Sequence, residues 1–472
     1  MALIESKNYS FSYLNTSESA LHNINFLIES PEIILIAGDS GSGKSTFLKS
    51  FNGLIPNLVE GEIKGERILN NKSILEMPVY EISRDVGNVF QNPRGQFFTL
   101  NSTAEVVFPM ENYGYSRDEM EKKLQELKKN FPLDKVLNKD IYNLSSGERQ
   151  ILALVSSVTL SPKLLFFDEP SANLDYGNAM RLRETIKKLK EQGMTVIVAD
   201  HRFYYLNDMI DRAFLIEEGA LKIFDSEKSF KDSDYNTRSF DLFHLDLPYR
   251  PKEKKGEVVA SLENVSKLHV LKNVSINFYK HDVVCIVGNN GVGKTMLANM
   301  LTKGLIPDSG EVNIKDMPFY IMQDADYQLF GSSVYDELTI GRSKAEEREI
   351  VKVLKALNLY HMKERHPFDL SGGEKQRLQI CMALLSKSSL IIFDEPTSGL
   401  DVKSMKLVSE EIEKIRKSTS VLIISHDYEF IRRVANRIVY IKEGTVDKDF
   451  ELGEETIQQL NRIFMEMEEK HE

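Results

Sequence analysis

Two stretches of the chain have the residue types and spacing to hold phosphate groups. They are Gly38-Asp39-Ser40-Gly41-Ser42-Gly43-Lys44-Ser45 and Gly288-Asn289-Asn290-Gly291-Val292-Gly293-Lys294-Thr295. Both fit G-x-x-x-x-G-K-[ST], a loop in which glycines let backbone N–H groups turn toward phosphate oxygens. Gly38, Ser40, Gly41, Ser42 and Gly43 would line one phosphate site. Gly288, Asn290, Gly291, Val292 and Gly293 would line the other. Lys44 and Lys294 would reach the β- and γ-phosphates, and Ser45 and Thr295 would hold Mg²⁺. Further on, Phe167-Asp168-Glu169-Pro170 and Phe393-Asp394-Glu395-Pro396 each close an apolar run with two carboxylates. Asp168 and Asp394 are expected to bind Mg²⁺, directly or through water. Glu169 and Glu395 are expected to polarise the attacking water, because phosphoryl transfer needs mainly positioning and charge stabilisation. His201 and His426 follow the next apolar run. There, a neutral imidazole can hydrogen-bond the γ-phosphate and the water.

The elements that must position these groups come in two copies. Lys44 returns 250 residues on as Lys294, and Asp168 returns 226 residues on as Asp394. Leu144-Ser145-Ser146-Gly147-Glu148 returns as Leu370-Ser371-Gly372-Gly373-Glu374 in the same order. Short β-branched runs such as Ile33–Ile36, Leu164–Phe167, Val196–Val198, Val283–Val287, Leu390–Phe393 and Val421–Ile424 predict buried parallel strands. Helical patterns such as Asn178–Lys190 and Met405–Ile415 alternate with them, so each copy is an α/β domain of the P-loop NTPase type. The first domain is expected over 1–225 and the second over 258–472. The polar, Pro-containing stretch between them, 226–257, reads as an exposed linker. The 472 residues carry a net charge of −11, which argues against wrapping a nucleic-acid backbone. Cys285 and Cys381 stand far apart, which excludes a disulfide framework and a Cys-based metal site and suits a reducing cytosol. No apolar run approaches the length of a membrane-spanning helix. The N-terminus lacks a signal-peptide layout, so work at a membrane would go through a partner.

The motif set resembles the ATP-binding cassette (ABC) family over nearly the whole chain, twice. Leu370–Glu374 is that family's signature and Leu144–Glu148 is a variant of it. The resemblance implies ATP and Mg²⁺ as ligands, a helical subdomain in each domain, and head-to-tail packing of two cassettes. Each ATP then lies between the phosphate loop of one cassette and the signature of the other. Both cassettes share this chain, so the dimer would form internally. Site 1 would combine Lys44, Ser45, Gln91, Asp168, Glu169 and His201 with Ser371 and Gly373. Site 2 would combine Lys294, Thr295, Gln323, Asp394, Glu395 and His426 with Ser145 and Gly147. Gln91 and Gln323 would serve both the metal and the catalytic step, and Asp175 and Asp401 match a loop lying across the same interface. Three departures converge on site 2. Tyr13 matches the residue that stacks on adenine, whereas the second copy has Leu268-His269 there. Met296 follows Thr295 where Thr46 follows Ser45, which removes a hydroxyl from the phosphate region. Ser146 replaces a signature glycine. Site 2 is therefore expected to bind or hydrolyse ATP less well than site 1.

Phe90-Gln91-Asn92-Pro93-Arg94-Gly95-Gln96-Phe97-Phe98 parallels Met322-Gln323-Asp324-Ala325-Asp326-Tyr327-Gln328-Leu329-Phe330. This element is similar to one in the energy-coupling-factor (ECF) group and the related cobalt and nickel importers, where it meets a helix of the membrane subunit. Phe97, Phe98, Leu329 and Phe330 would then form an exposed docking patch. The resemblance implies an ATPase on the cytoplasmic face of the cell membrane, peripheral, with an integral membrane transport subunit and a small membrane-embedded substrate-binding subunit as partners. Nucleic acid is not expected as a partner. The cargo would be a vitamin, a vitamin precursor such as the hydroxymethylpyrimidine part of thiamine, or a metal ion. The alternatives are a soluble tandem ABC ATPase acting on ribosomes or nucleic acid, and a tandem sugar-importer ATPase. The segment Glu454–Glu472 places Ile457, Leu460, Phe464 and Met467 on one helical face, which is expected to pack on the second domain.

Overall fold

A computed structural model describes residues 3–14, 16, 19–235, 237–249, 256–323, 325–341 and 347–469, without the side chains of Arg94, Ser146 and Glu469. Asp324, most of the Pro248–Gly256 connector and the last three residues therefore lie outside the described residues. The chain divides into two compact units. One comprises Met1–Leu174 and Asn178–Asp241, and the other comprises Asp175–Gly177 with Leu242–Glu472.

In the first unit the strands are β1 (Ile4–Tyr13), β2 (Leu21–Ile28), β3 (Ile33–Ala37), β4 (Gly61–Leu69), β5 (Lys72–Ser73), β6 (Val86–Val89), β7 (Leu164–Asp168), β8 (Thr195–Ala199), β9 (Arg212–Glu217) and β10 (Ala220–Phe224). They form one sheet in the order β5-β4-β1-β2-β10-β9-β3-β8-β7-β6. The strands β9, β3, β8, β7 and β6 pair in parallel. Strand β3 reads Ile-Ile-Leu-Ile-Ala and is buried throughout, as a parallel strand covered on both faces must be. Its residues alternate between two cores. Ile33, Leu35 and Ala37 face one with Leu152, Val155 and Ile186, while Ile34 and Ile36 face the other with Phe47 and Phe51. Helices Ser102–Asn112, Arg117–Asn130 and Ser146–Val158 form the helical part.

The second unit repeats the plan with β11 (Val258–Lys267), β12 (Leu271–Tyr279), β13 (Val283–Val287), β14 (Ser309–Ile314), β15 (Phe319–Ile321), β16 (Leu390–Asp394), β17 (Ser420–Ile424), β18 (Arg437–Lys442) and β19 (Thr445–Glu451). A six-stranded sheet, β15-β16-β17-β13-β18-β19, is separate from a three-stranded one, β12-β11-β14. In the first unit a single parallel bridge, Ala220 to His22, joins the corresponding sheets. In the second, Lys272 N–H still donates to Gly444 O at 2.8 Å, but no ladder forms. The helix Ile457–Glu469 buries Leu460, Phe464 and Met467 on this unit, with Phe464 edge-on to Tyr428 at 5.0 Å between ring centres. Ile457 is half-buried. Both cysteines are buried and unpaired. No helix among the described residues is long and apolar enough to cross a membrane.

Candidate functional site

Each glycine-rich loop joins a buried parallel strand to a helix, β3 to Lys44–Phe51 and β13 to Lys294–Leu301. The last loop glycines are required by the backbone. Gly43 has φ +112° and a Cβ there would lie 2.8 Å from Ala20 O; Gly293 has φ +101° and its Cβ would meet Leu271 at 2.5 Å. The lysines fold back over the loops. Lys44 Nζ donates to Gly38 O at 2.9 Å and Asp39 O at 3.0 Å; Lys294 Nζ donates to Gly288 O at 2.8 Å and Asn289 O at 2.9 Å. Burial pushes the Lys294 ammonium down to about 8, against the pull of Glu395, Asp175 and Asp394. Asp175, grouped with this unit, accepts the Asn290 N–H at 2.8 Å.

The expected metal residues meet in both units. Ser45 Oγ donates to Asp168 Oδ1 at 3.3 Å, and Thr295 Oγ1 donates to Asp394 Oδ2 at 3.0 Å. A hydroxyl and one carboxylate are hard-oxygen donors of the kind Mg²⁺ takes, with nucleotide phosphates and water completing its octahedron. Burial, then the Glu169 charge, raises Asp168 to about 6, while Ser45 and Lys44 work against the rise. Asp394 is also raised by burial, and Tyr320, Thr295 and Lys294 oppose it.

Glu169 and Glu395 share a feature that the sequence does not display. Both are left-handed, at φ +46° and +49°, with their N–H groups bonded to Ala199 O and Ile424 O on the neighbouring strand. A non-glycine residue in that region costs about 1–3 kcal/mol and persists only when its surroundings hold it. Gln91 Nε2 donates to Glu169 Oε2 at 2.6 Å. His201 Nε2 lies 3.5 Å from Glu169 Oε1, and His426 Nε2 lies 3.3 Å from Glu395 Oε1. Gln323 and Glu395 line the same small cavity, with a volume of about 10 Å³. Carboxylate, imidazole and amide thus converge beside each phosphate loop, an arrangement that can orient a water for attack on a γ-phosphate.

The motifs do not mark Asp200, which precedes His201, or Asp427, which follows His426. Buried Asp200 accepts the His201 N–H at 2.6 Å and the Tyr205 hydroxyl at 2.7 Å. Asp427 accepts from Thr397 Oγ1 at 3.0 Å and Phe430 N at 3.1 Å. An aspartate adjacent to each histidine is their only trace in the sequence. Tyr13 Oη bonds Thr46 Oγ1 at 2.9 Å, which ties the adenine-stacking candidate to the phosphate-loop helix. In the second unit Leu268 and His269 occupy a left-handed turn, pinned by Asp308 to the Leu268 N–H. The lost aromatic and the lost hydroxyl, Met296, are thus two ends of one missing contact. Ser145 and Ser371 N-cap the helices Ser146–Val158 and Gly372–Ser386 through capping boxes with Glu148 and Glu374. This geometry presents the N–H groups of Gly147 and Gly373 in each first turn.

The paired glutamines do different work. The second of each pair staples the loop: Gln96 Nε2 donates to Asn88 O and Gln328 Nε2 to Tyr320 O, while their Oε1 atoms accept from Phe90 N and Met322 N. Buried Glu105 and Glu337 then hold the N–H groups of Phe98 and Phe330. The expected four-residue patch is corrected here. Leu329 is 2% exposed and Phe97 packs against the core, because each staple turns the residue after it inward. Only Phe98, at 77%, and Phe330, at 81%, stand out.

Comparison with known proteins places this geometry. The family described as ABC transporter matches residues 21–172 and 271–398. A protein of Treponema denticola described as an ABC transporter ATP-binding protein is 34% identical, over 98% of this chain and all of its own length. A second from the same organism is 35% identical over 95% of this chain and 97% of its own. Among solved structures, the archaeal ribosome recycling factor aABCE1, crystallised with the ribosomal stalk protein aP1, superposes with a TM-score of 0.65. Its identity is 21%, and the match covers 97% of this chain and 92% of that one. The structure described as RNase-L Inhibitor gives 0.64 at 22% identity, over 96% and 92%. At these identities the two structures share the fold with this chain.

Proposed function

Because the chain belongs to the ABC transporter family, as an ATPase with two tandem cassettes, we propose that it powers a membrane importer of the energy-coupling-factor type. The observation that supports this reading most is the repeated loop from Gln91 to Phe98 and from Gln323 to Phe330. Its first glutamine sits at the catalytic carboxylate, hydrogen-bonded to Glu169 in the first unit. Its last residue stands in solvent. A rigid, stapled segment of that kind can carry a change at the γ-phosphate to a docked partner.

In this reading Lys44 and Lys294 bind the phosphates, and Ser45 with Asp168 and Thr295 with Asp394 hold Mg²⁺. When bound, that ion neutralises charge developing on the phosphates. Glu169 and Glu395 orient the attacking water, helped by His201, His426, Gln91 and Gln323. Each nucleotide is completed by the other cassette's signature, Ser371 and Gly373 for the first and Ser145 and Gly147 for the second. ATP favours the closed pair through those contacts, and hydrolysis releases it. The cassettes correspond to 1–225 and 258–472. The chain acts at the cytoplasmic face of the membrane, and a membrane-embedded partner chooses the cargo, a vitamin, vitamin precursor or metal ion.

A second reading takes its cue from the solved neighbours: a tandem ATPase acting on ribosomes. The importer stands first because relatives above 30% identity carry transporter names. The two readings separate on a Phe98→Asp/Phe330→Asp double variant. In gently solubilised membranes, the natural chain should co-purify with a transmembrane subunit and a small membrane-embedded protein. The variant should lose both while binding ATP normally. Nuclease-resistant ribosomal proteins with no membrane partner would overturn the importer in favour of the second reading.

A further inference from the structure

Strands β6 and β15 occupy equivalent edges of the two units, and their registers are the same: Asn88 pairs with Phe166 and Tyr320 with Ile392. The side chains at this shared position differ. Asn88 turns to the helix that follows the phosphate loop, and its Oδ1 accepts from Asn52 Nδ2 at 2.9 Å. Tyr320 turns to the metal site, and its Oη donates to Asp394 Oδ2 at 2.8 Å. Thr295 Oγ1 reaches the same oxygen at 3.0 Å. Its ring packs on the core of the unit while its hydroxyl end stays at the site. In the first unit Ser45 Oγ donates to Asp168 on the other oxygen, Oδ1, at 3.3 Å.

We infer that Tyr320 is a positioning residue for the metal site of the second cassette, fixing the Asp394 carboxylate through Oδ2 and leaving Oδ1 to face the ion or its bound water. In the first cassette the equivalent position holds Asn88, bonded to Asn52 instead. This inference rests on the ATP and Mg²⁺ reading above. Its physical basis is the role of hydrogen bonds behind a metal ligand. They set the orientation and basicity of the ligand, and losing one typically weakens metal affinity by about 10–100-fold. Tyrosine suits the task because the ring anchors in apolar packing and one rigid hydroxyl reaches the site. Thr295 can offer a lone pair to the ion while still donating its hydrogen to Asp394, so the Tyr320 bond adds a second anchor on the same oxygen.

The test uses the full chain with a non-hydrolysable ATP analogue and Mn²⁺ as probe, read by electron paramagnetic resonance. The natural chain should bind two Mn²⁺ ions with the analogue. Tyr320→Phe should weaken one of the two by about tenfold and leave the other unchanged. Analogue affinity in EDTA and the thermal midpoint should also be unchanged. Asn88→Ala, the same position in the first unit, should alter neither ion. Two ions with unchanged affinities in Tyr320→Phe would overturn the role of Tyr320 while leaving the ATP and Mg²⁺ reading intact. Loss of analogue binding in EDTA as well would make Tyr320 structural and also overturn it. A natural chain that binds no Mn²⁺ with the analogue would overturn that reading and the inference together.

Discussion

In each unit a tyrosine is hydrogen-bonded to the motif set, but at a different member of it. Tyr13 bonds Thr46 beside the first phosphate loop; Tyr320 bonds Asp394 beside the second. Lysine, hydroxyl, aspartate, left-handed glutamate and histidine are otherwise the same in type and placement. The shared set is what phosphoryl transfer cannot do without. The two tyrosines are additions to it, a different one in each unit. A duplicated site can thus diverge in what it holds tightly while its chemistry stays fixed.

The largest expected effect on this comparison comes from removing the carboxylates that orient water. Glu169→Gln and Glu395→Gln should each cut turnover at their own site by about 100-fold or more. The whole-chain ATPase rate should fall further with Glu169→Gln, because the second unit lacks the base anchor. Equal residual rates in a steady-state phosphate-release assay would break the asymmetry. The Mn²⁺ measurement on Tyr320→Phe comes next in size, and it acts on the opposite end of the opposite site. Tyr13→Ala should weaken nucleotide binding at the first site by about 10-fold, the scale of one lost base–aromatic stack. Tyr13→Phe, which keeps the ring and loses only the Thr46 bond, should cost about 2-fold, near 0.5 kcal/mol. A fluorescent-nucleotide titration in the Lys294→Ala background isolates that site. If Tyr13→Ala and Tyr13→Phe are equal, the hydroxyl rather than the ring is what counts.

The smallest effect concerns the C-terminal helix, which the first unit lacks among its described residues. Hydrogen bonds from Lys442 and Lys448 hold Glu466 below the ordinary carboxylate range, against a smaller opposing effect of burial. A lowered carboxylate adds stability that is full above its unfolded value, near 4.5, and is lost as pH falls through the folded value. Glu466→Gln should therefore lower the thermal midpoint slightly at pH 7 and not at pH 3. Raising salt should shrink the difference, since these charges are still partly reached by solvent. A difference that persists at low pH would make Glu466 a packing residue.

Much of this molecule was legible from residue order. The strands of the parallel sheets are short runs of Ile, Leu, Val and Phe because both of their faces are covered. The phosphate loops are readable because only glycine tolerates their backbone, as at Gly43 and Gly293. The pairing of Ser45 with Asp168 and of Thr295 with Asp394 joins two local motifs at the same ends of strands that flank one intervening strand, β8 or β17. Local pattern could not separate Phe97 from Phe98, or Leu329 from Phe330, since each pair is equally apolar and only the glutamine staple decides which member turns inward. Nor could it place Tyr320, Asp200 or the left-handed backbone of Glu169 and Glu395. Those depend on which strand lies beside which, and on hydrogen bonds between residues far apart in the chain. Sequence alone determined the set of chemical groups, because phosphate binding demands particular residue types at fixed local spacing. Only the tertiary structure decided which groups are braced and which stand exposed, because bracing is a relation between neighbours in space.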